Sequence, residues 1–512
     1  MDQSNTLKSD KYDKLVLLFN PRSNHFKPRI PNSILQVAAS IEGKWSYVMV
    51  DGNLEADPWS RIQGYLDSGK VAYFGCTVMP GPQLKQAIPF TYLIKEKYPH
   101  VKVIWGGYFA SNQYKVSIQS GVVDFIINGP GDKAFPELLN ALENGSDTAS
   151  IPNLIYLDNG KIVTTPKDEI YDQDTLPDLP YEKLNTFYPL IKYLGKTYLG
   201  KKTIAYHSSF GCPFTCSFCA VVPIYNARWK GKSAANIFRD IQYLKNNFGG
   251  DAIEFHDNNF FVSEKRTAEF AQLMMDQGMV WWGEGRIDTL WKYSDTTLQL
   301  MRDSGCKMIF FGAETGNDEV LKEMDKGGTQ TGAQILEFAA RMKKFDIIPE
   351  YSFVLGTPAH SEKEVDSRIE GDIEFIRKVK EVNPDTEIIF YLYSPVPTEG
   401  SAMYEEAKKS GFTFPVTLHD WLNPTWENFD LRRNPLTPWL KPYMVDKIHD
   451  FETVLNGYFP TVSDTKLSNF QRRTIRLFAS WRYHLKFYKW PYEIKFLQKY
   501  WLKYRQPEWE GF

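Results

Sequence analysis

Short apolar runs alternate with amphipathic stretches through the first 145 residues. The apolar runs are KLVLLFN (Lys14–Asn20), YVMV (Tyr47–Val50), VAYFGC (Val71–Cys76), VKVIW (Val101–Trp105) and VDFIIN (Val123–Asn128). Nearly every position in them is apolar, as in strands buried on both faces. The stretches between them, such as Gln83–Tyr98 and Asp132–Asn144, have helical spacing. This alternation predicts an α/β fold, a doubly wound, Rossmann-like parallel sheet. Glycines follow the strands at Gly75, Gly106, Gly107, Gly129 and Gly131. Those are strand C-terminal edges, where such sheets bind ligands.

Residues 146–198 lose the pattern. Pro177, Pro180 and Pro189 punctuate them, which predicts a linker with short strands. A second series runs from Thr203 to about Ser394, with candidate strands TIAYHSS, AIEFHD, WWGEGR, MIFFGAE, EYSFVLG and IIFYLYS. Amphipathic helices separate them, as at Ala234–Asn247. Six units are too few for a closed eight-unit barrel, so a partial (β/α)6 barrel is expected. The remainder shows no repeat and reads as mostly helical. The expected layout is an α/β domain at 1–150, a linker at 151–198, the partial barrel at 199–400 and a helical region at 401–512.

Composition adds limits. The 512 residues are 43% hydrophobic and 24% charged, the balance of globular chains. Sixty basic and 62 acidic residues give a formal charge of -2, so nothing global calls for nucleic acid. The polar N-terminus carries no apolar signal region, and no run of about 18 apolar residues suggests a membrane span. A cytoplasmic location is expected. Of five cysteines, three lie within eight residues, which reads as metal binding rather than disulfides.

Those three stand in FGCPFTCSFCAVV (Phe210–Val222) as Cys212, Cys216 and Cys219. Three close thiolates can hold three irons of a cubane and leave the fourth open to a small molecule. The bland alternative is zinc with His207 as fourth ligand. Zinc sites pair their ligands in two knuckles, and no second pair exists here.

The Cys-x3-Cys-x2-Cys spacing after a first barrel strand resembles the radical S-adenosylmethionine superfamily. The resemblance implies a 4Fe-4S cluster whose open iron binds S-adenosylmethionine, a 5′-deoxyadenosyl radical, and an external one-electron reductant such as flavodoxin or ferredoxin. Further segments are similar to family motifs. FHDNNFF (Phe255–Phe261) offers Asp257 and Asn258; GEGRIDTL (Gly283–Leu290) offers Arg286. FFGAETGNDEVLKEMDKG (Phe310–Gly327) offers Glu314, and FVLGTP (Phe353–Pro358) resembles the strand beside the adenine. Phe218 stands where the family often has an aromatic near the adenine. Each acid has a plainer reading as a helix cap or surface ion pair, and Asp257 as the start of a turn.

An α/β domain ahead of such a barrel resembles the cobalamin-binding subclass. The resemblance implies a corrin lying on glycine-bearing strand ends between that domain and the barrel, with Thr77, Gly106, Gly107 and Gly131 as contacts. None of the eight histidines stands in an Asp-x-His-x-x-Gly run, so no histidine is expected on cobalt; Met79 or Tyr108 could lie under the ring. The plainer reading is a vestigial domain without cofactor.

From Lys466 to Phe512 the chain has 11 Lys and Arg, 3 Glu and 14 aromatics. Phe478, Trp481, Leu485 and Tyr488 fall at helical spacing, which predicts a helix packed on the barrel mouth. A lid, a membrane contact and single-stranded RNA are the sharper alternatives. PVPTEGSAMY (Pro395–Tyr404) resembles the loop that closes the barrel in this subclass.

The subclass implies a methyltransferase acting on an unactivated carbon of a small-molecule substrate, with a peptide or natural-product intermediate among the options. Ring formation of the anaerobic porphyrin-ester cyclase type is the alternative within the subclass. A non-catalytic iron–sulfur or zinc protein is the alternative outside it.

Overall fold

The computed structural model describes residues 14–23, 28–326, 330–393, 402–423, 437–460 and 467–502. The Pro395–Tyr404 loop lies almost wholly outside them, as do residues 503–512 of the tail. The chain forms two compact units. The first comprises Met1–Tyr193, Pro223–Lys232 and Phe414–Asn428; the second comprises Leu194–Val222, Ser233–Thr413 and Phe429–Phe512.

The first unit is built on seven strands: β1 (Leu15–Asn20), β2 (Ser46–Asp51), β3 (Val71–Thr77), β4 (Lys102–Gly106), β5 (Phe125–Ile127), β6 (Leu154–Asp158) and β7 (Lys161–Thr164). Their order is β2-β1-β3-β4-β5-β6-β7. β1 to β5 are parallel, as the all-apolar runs predict. Phe19, Phe74 and Trp105 are fully buried in this unit's core.

β6 and β7 add an antiparallel hairpin to the edge. Its turn is Asn159-Gly160, both at positive φ (47° and 77°), the pair that a two-residue hairpin turn favours. The segment expected as a linker therefore extends the sheet and stays with this unit as far as Tyr193. Tyr193 donates to the buried carboxylate of Asp51 at 2.7 Å, and Tyr188 donates to Glu55 at 2.8 Å.

A second departure comes from far along the chain. Leu418 and Trp421 pack into the core of the first unit, with the Trp421 ring edge-on to Phe109 at 5.1 Å. Residues 414–423 thus complete this core, although the sequence reading put them in a C-terminal helical region. Burying an indole outweighs neighbourhood along the chain.

The second unit is a six-stranded parallel sheet in sequential order. Its strands are β8 (Thr203–Tyr206), β9 (Ala252–Phe255), β10 (Val280–Gly285), β11 (Cys306–Glu314), β12 (Ile348–Leu355) and β13 (Glu387–Leu392). All six expected strands are present. A Ser or Thr caps each of five intervening helices, at Ser233, Ser263, Ser294, Thr331 and Ser361.

Pairing puts Glu254, Trp282, Met308, Glu350 and Glu387 on one face of the sheet. The other face is apolar. Phe255, Phe260, Phe270 and Trp281 pack there with ring centroids 4.3 to 6.3 Å apart.

In the tail, helix Asn469–His484 packs on helix Pro442–Tyr458 through Ile475, Ala479, Arg482 and Tyr483, and Tyr458 and Tyr483 stack at 4.6 Å. This corrects two expectations. The helix ends before Leu485 and Tyr488, and its Phe478 and Trp481 point outward rather than into the unit.

Trp421→Ala should lower the unfolding free energy of the first unit by about 3–5 kcal/mol, because it leaves a ring-sized void against Phe109. Denaturant titration of the full chain measures it.

Candidate functional site

The cysteine loop follows β8 and is held from three sides. The first anchor is Asp257, fully buried just after β9. Its carboxylate accepts Ser208 N–H at 3.1 Å, Ser208 Oγ at 2.9 Å and Ser209 Oγ. Its oxygens are engaged by the turn that launches the loop, so the structure assigns Asp257 a positioning place. The expected partner Asn258 is half-buried beside it.

The second anchor is Arg286, at the end of β10. Nη1 donates to Cys216 Sγ at 3.0 Å, while Nε and Nη2 grip Asp288 at 2.9 and 2.8 Å. The guanidinium lies 3.9 Å from the centre of the Phe214 ring. Arg286 was expected at S-adenosylmethionine; the structure sets it against a cysteine sulfur.

The third anchor is the end of helix Asp318–Glu323. Ser217 N–H donates to Met324 O at 3.1 Å, and Ser217 Oγ donates to Glu323 O at 2.9 Å.

The thiols lie close enough to repel one another as thiolates. Burial pushes Cys219 up to about 12, with Cys216 and Cys212 adding to the rise and Lys326 opposing it. Burial also raises Cys212, against the Phe214 amide, Arg286 and the side chain of Asn259. Three thiolates here need positive charge to offset them, and metal supplies it. Among the described residues no three His, Cys, Asp or Glu side chains converge on the point a single ion would occupy. A cubane asks for less, since each thiolate takes a different iron, and the donor set fits one. His207, the zinc candidate, lies beside His256, 6.2 Å between ring centroids.

Glu314 closes β11 in an unusual conformation. Its φ is +64°, at a register shift in the pairing of β11 with β12. Non-glycine residues are held there only when their surroundings demand it, and such strain gathers at functional sites. The demand is visible. Lys326 Nζ donates to Glu314 Oε1 at 2.6 Å and to Gly312 O at 2.7 Å, with both side chains buried. A Cβ on Gly312 would stand 2.2 Å from Glu314 Oε1 and 2.6 Å from Lys326 Nζ, so only glycine leaves room for the pair. Lys326 Nζ also lies 6.0 Å from the centre of the Phe218 ring. Phe218 packs beside Val320, Met324, Tyr393 and Trp439.

Sequence reading missed Lys326, Asn259 and Phe214. Lys326 and Asn259 stood inside the quoted runs, yet their partners are distant in sequence. It also passed over Glu284 on β10. Burial pushes the Glu284 carboxyl up to about 8, and Asp257 and Glu350 raise it further.

In the first unit, the ends of β3 and β4 lie side by side with Thr77 opposite Gly106. Nothing stands within 4 Å of where a Cβ on Gly106 would be, so its lack of side chain leaves an open floor. Gly107 (φ +91°) is required for another reason, since a Cβ there would meet Val78 O at 2.8 Å. Gly131 sits over Val37, 3.3 Å from its own absent Cβ. Met79 is exposed at the same edge. An open, glycine-floored edge with one exposed thioether fits a flat macrocycle.

Residues 206–370 match the radical SAM superfamily. The chain is 25% identical over 378 residues to an uncharacterized methyltransferase of Pyrococcus horikoshii, covering 72% of this chain and 79% of that one. It is 24% identical over 486 residues to the anaerobic magnesium-protoporphyrin IX monomethyl ester cyclase of Rubrivivax gelatinosus, covering 87% and 78%. In fold it is similar to the cobalamin-dependent S-adenosylmethionine radical enzyme OxsB, with a TM-score of 0.67 at 14% identity over 95% of this chain and 72% of that one. That structure holds aqua-cobalamin and S-adenosylmethionine. The two chains therefore share a fold. No helix among the described residues is long and apolar enough to cross a membrane.

The raised carboxyl of Glu284 yields a signed prediction. Its folded pKa, about 8, exceeds the ordinary value of 4.5. The folded state therefore holds a proton that the unfolded state releases, and stability falls as pH rises from 4.5 through 8. Glu284→Gln removes that loss. The variant should be more stable than the parent at pH 8–9, by on the order of 1–3 kcal/mol, and the gap should close toward pH 5. Chemical denaturation across pH checks it.

Proposed function

We propose that this chain is a cobalamin-dependent radical SAM methyltransferase acting on an unactivated carbon of a small-molecule substrate. The observation that carries the reading is the three-thiol loop with the Glu314–Lys326 pair beside it. Cys212, Cys216 and Cys219 would hold a 4Fe-4S cluster. When bound, the cluster supplies the electron that cleaves S-adenosylmethionine, and the corrinoid supplies the methyl group.

The chain's own residues have definite work in this reading. Arg286 gives a hydrogen bond and a positive charge to Cys216, which favours the reduced, more negative cluster. Glu314 and Lys326 present a carboxylate and an ammonium at one place, the complement of an amino acid's two ionic ends. Without a ligand they satisfy each other. Phe218 offers a ring face to the adenine, Asn258 stands at the cofactor's side, and Asp257 sets the loop's position. Thr77, Gly106, Gly107 and Gly131 would floor the corrin.

In this reading residues 1–150 serve the corrinoid and 199–400 the radical chemistry, while the part of 401–512 outside the first unit's core serves substrate choice. The electron comes from an external one-electron reductant such as flavodoxin or ferredoxin. A cytoplasmic location follows, because such a cluster needs a reducing compartment.

Ring formation is the second reading, supported by the relative from Rubrivivax gelatinosus, whose similarity spans 87% of this chain. Methyl transfer is preferred on the Pyrococcus horikoshii relative, at slightly higher identity.

Replacing Cys212, Cys216 and Cys219 together by Ala should take bound iron from about four per chain to none and abolish 5′-deoxyadenosine formation. Iron analysis after anaerobic reconstitution decides it. Methyl transfer is tested with methyl-deuterated S-adenosylmethionine. Mass spectrometry should find the label in the product and S-adenosylhomocysteine beside 5′-deoxyadenosine. Turnover that yields 5′-deoxyadenosine alone, with unlabelled product, replaces methyl transfer by cyclisation.

A further inference from the structure

Exposed large hydrophobic side chains are not spread evenly over this protein. Of 18 among the described residues, 11 lie between Phe470 and Trp501. Helix Asn469–His484 shows why. At about 100° per residue, Phe470, Leu477, Trp481 and the capping Leu485 fall within roughly 80° of one another. The side chains that bury this helix, Ile475, Ala479, Arg482 and Tyr483, occupy the opposite side. The helix therefore has two apolar faces, and only one packs on the protein.

The outward face is continuous with its neighbours. The Trp481 ring stacks on Phe487 at 5.9 Å, and Phe470 meets Trp501 edge-on at 6.2 Å. Trp481, Leu485 and Phe470 are 46%, 72% and 71% exposed.

The charge around this face is mostly positive. Residues 467–502 contain eight Lys and Arg and one acid; Arg482 is paired with Glu493, Lys486 with Glu374 and Lys495 with Asp450. Arg473, Arg476, Lys489 and Lys499 are exposed among the aromatics.

We propose that this surface docks the protein on an anionic lipid bilayer. Tryptophan and other aromatics settle at the headgroup boundary, leucines reach the acyl chains, and lysines and arginines meet anionic headgroups. The pattern argues against the other partners. Leu477 and Leu485 gain nothing from base stacking, so a nucleic-acid strand would leave half of the helix face unused. A second copy of the chain would bring two strongly positive surfaces together. The inference stands apart from the proposed radical SAM reaction.

The test uses the full-length, reconstituted protein and sedimentation with vesicles of phosphatidylcholine alone or mixed with phosphatidylglycerol. Binding is expected to the mixed vesicles, weakening as salt rises. Trp481→Ser with Leu485→Ser should weaken it at least about tenfold. Arg473→Glu with Arg476→Glu should weaken it about as much. Both pairs are exposed, so iron content and thermal midpoint should match the parent, and the two variants check one another. Three outcomes overturn the proposal: equal affinity for the two vesicle types, undiminished binding by both variants, or no vesicle binding. In the last case, capture of a single-stranded oligonucleotide would assign the face to nucleic acid. A doubled molar mass lost in the Trp481 variant would assign it to self-association.

Discussion

The site in the second unit depends on one buried ion pair, Lys326 with Glu314. Taking both groups out of water costs several kcal/mol, which their attraction offsets only with good geometry and further hydrogen bonds. The local chain supplies both. Lys326 spends a second proton on Gly312 O, and Gly312 itself leaves the space where a Cβ would break the pair. Glu314 accepts a left-handed backbone to face its partner. Removing either charge leaves the other buried and alone, a loss of about 3–5 kcal/mol. Such an arrangement is poorly explained as a device for stability, because apolar residues of the same volume would hold the strand end more cheaply. In the proposed reading it is a place prepared for a ligand with two opposite charges.

The pair also reaches the cysteine loop. Lys326 eases the charging of Cys219, as Arg286 and Asn259 do for Cys212. The loop is thus met by cationic and amide donors from separate segments of the chain. Asp288 holds Arg286 and Asp257 holds the Ser208–Ser209 turn. Such supports decide whether three thiols are presented for metal or collapse onto one another.

Much of this was legible in the sequence because it is local. Strands buried on both faces are nearly all apolar, so β1 to β5 and β8 to β13 could be read directly, and the cysteine spacing carries its chemistry in eight residues. Partners brought together by folding were not legible. Lys326 lies 12 residues from Glu314, and Arg286 lies 70 from Cys216. Asp257 looked like a ligand because it ends a strand, yet its oxygens are taken by Ser208 and Ser209. Trp421 gave no sign that it completes a core begun four hundred residues earlier, since one indole in an irregular stretch has no period. The tail misled for the opposite reason. Phe478 and Trp481 do fit a helical stripe, and periodicity alone cannot say whether an apolar stripe faces protein or solvent.

The polar face of the second sheet completes the physical picture. Interiors of parallel barrels are filled by branched apolar side chains in layers. Here the strands place Glu254, Glu284, Glu350 and Glu387 there instead, with Trp282 Nε1 donating to Glu350 at 2.9 Å and His256 beside Glu254 at 3.3 Å. Burial raises the Glu284 carboxyl, with Asp257 and Glu350 adding to the rise, so that carboxyl lowers stability once it is charged. A sequence under selection for packing alone would replace Glu284, since a charged carboxylate kept out of water lowers stability and an apolar residue of similar volume does not. The four carboxylates share this face with the apolar cluster of Trp282, Met308 and Ile348, so polar and apolar side chains are mixed on it. In the proposed reading such a mixed face suits a reaction chamber, which keeps proton-holding groups where a purely structural barrel would have only a core.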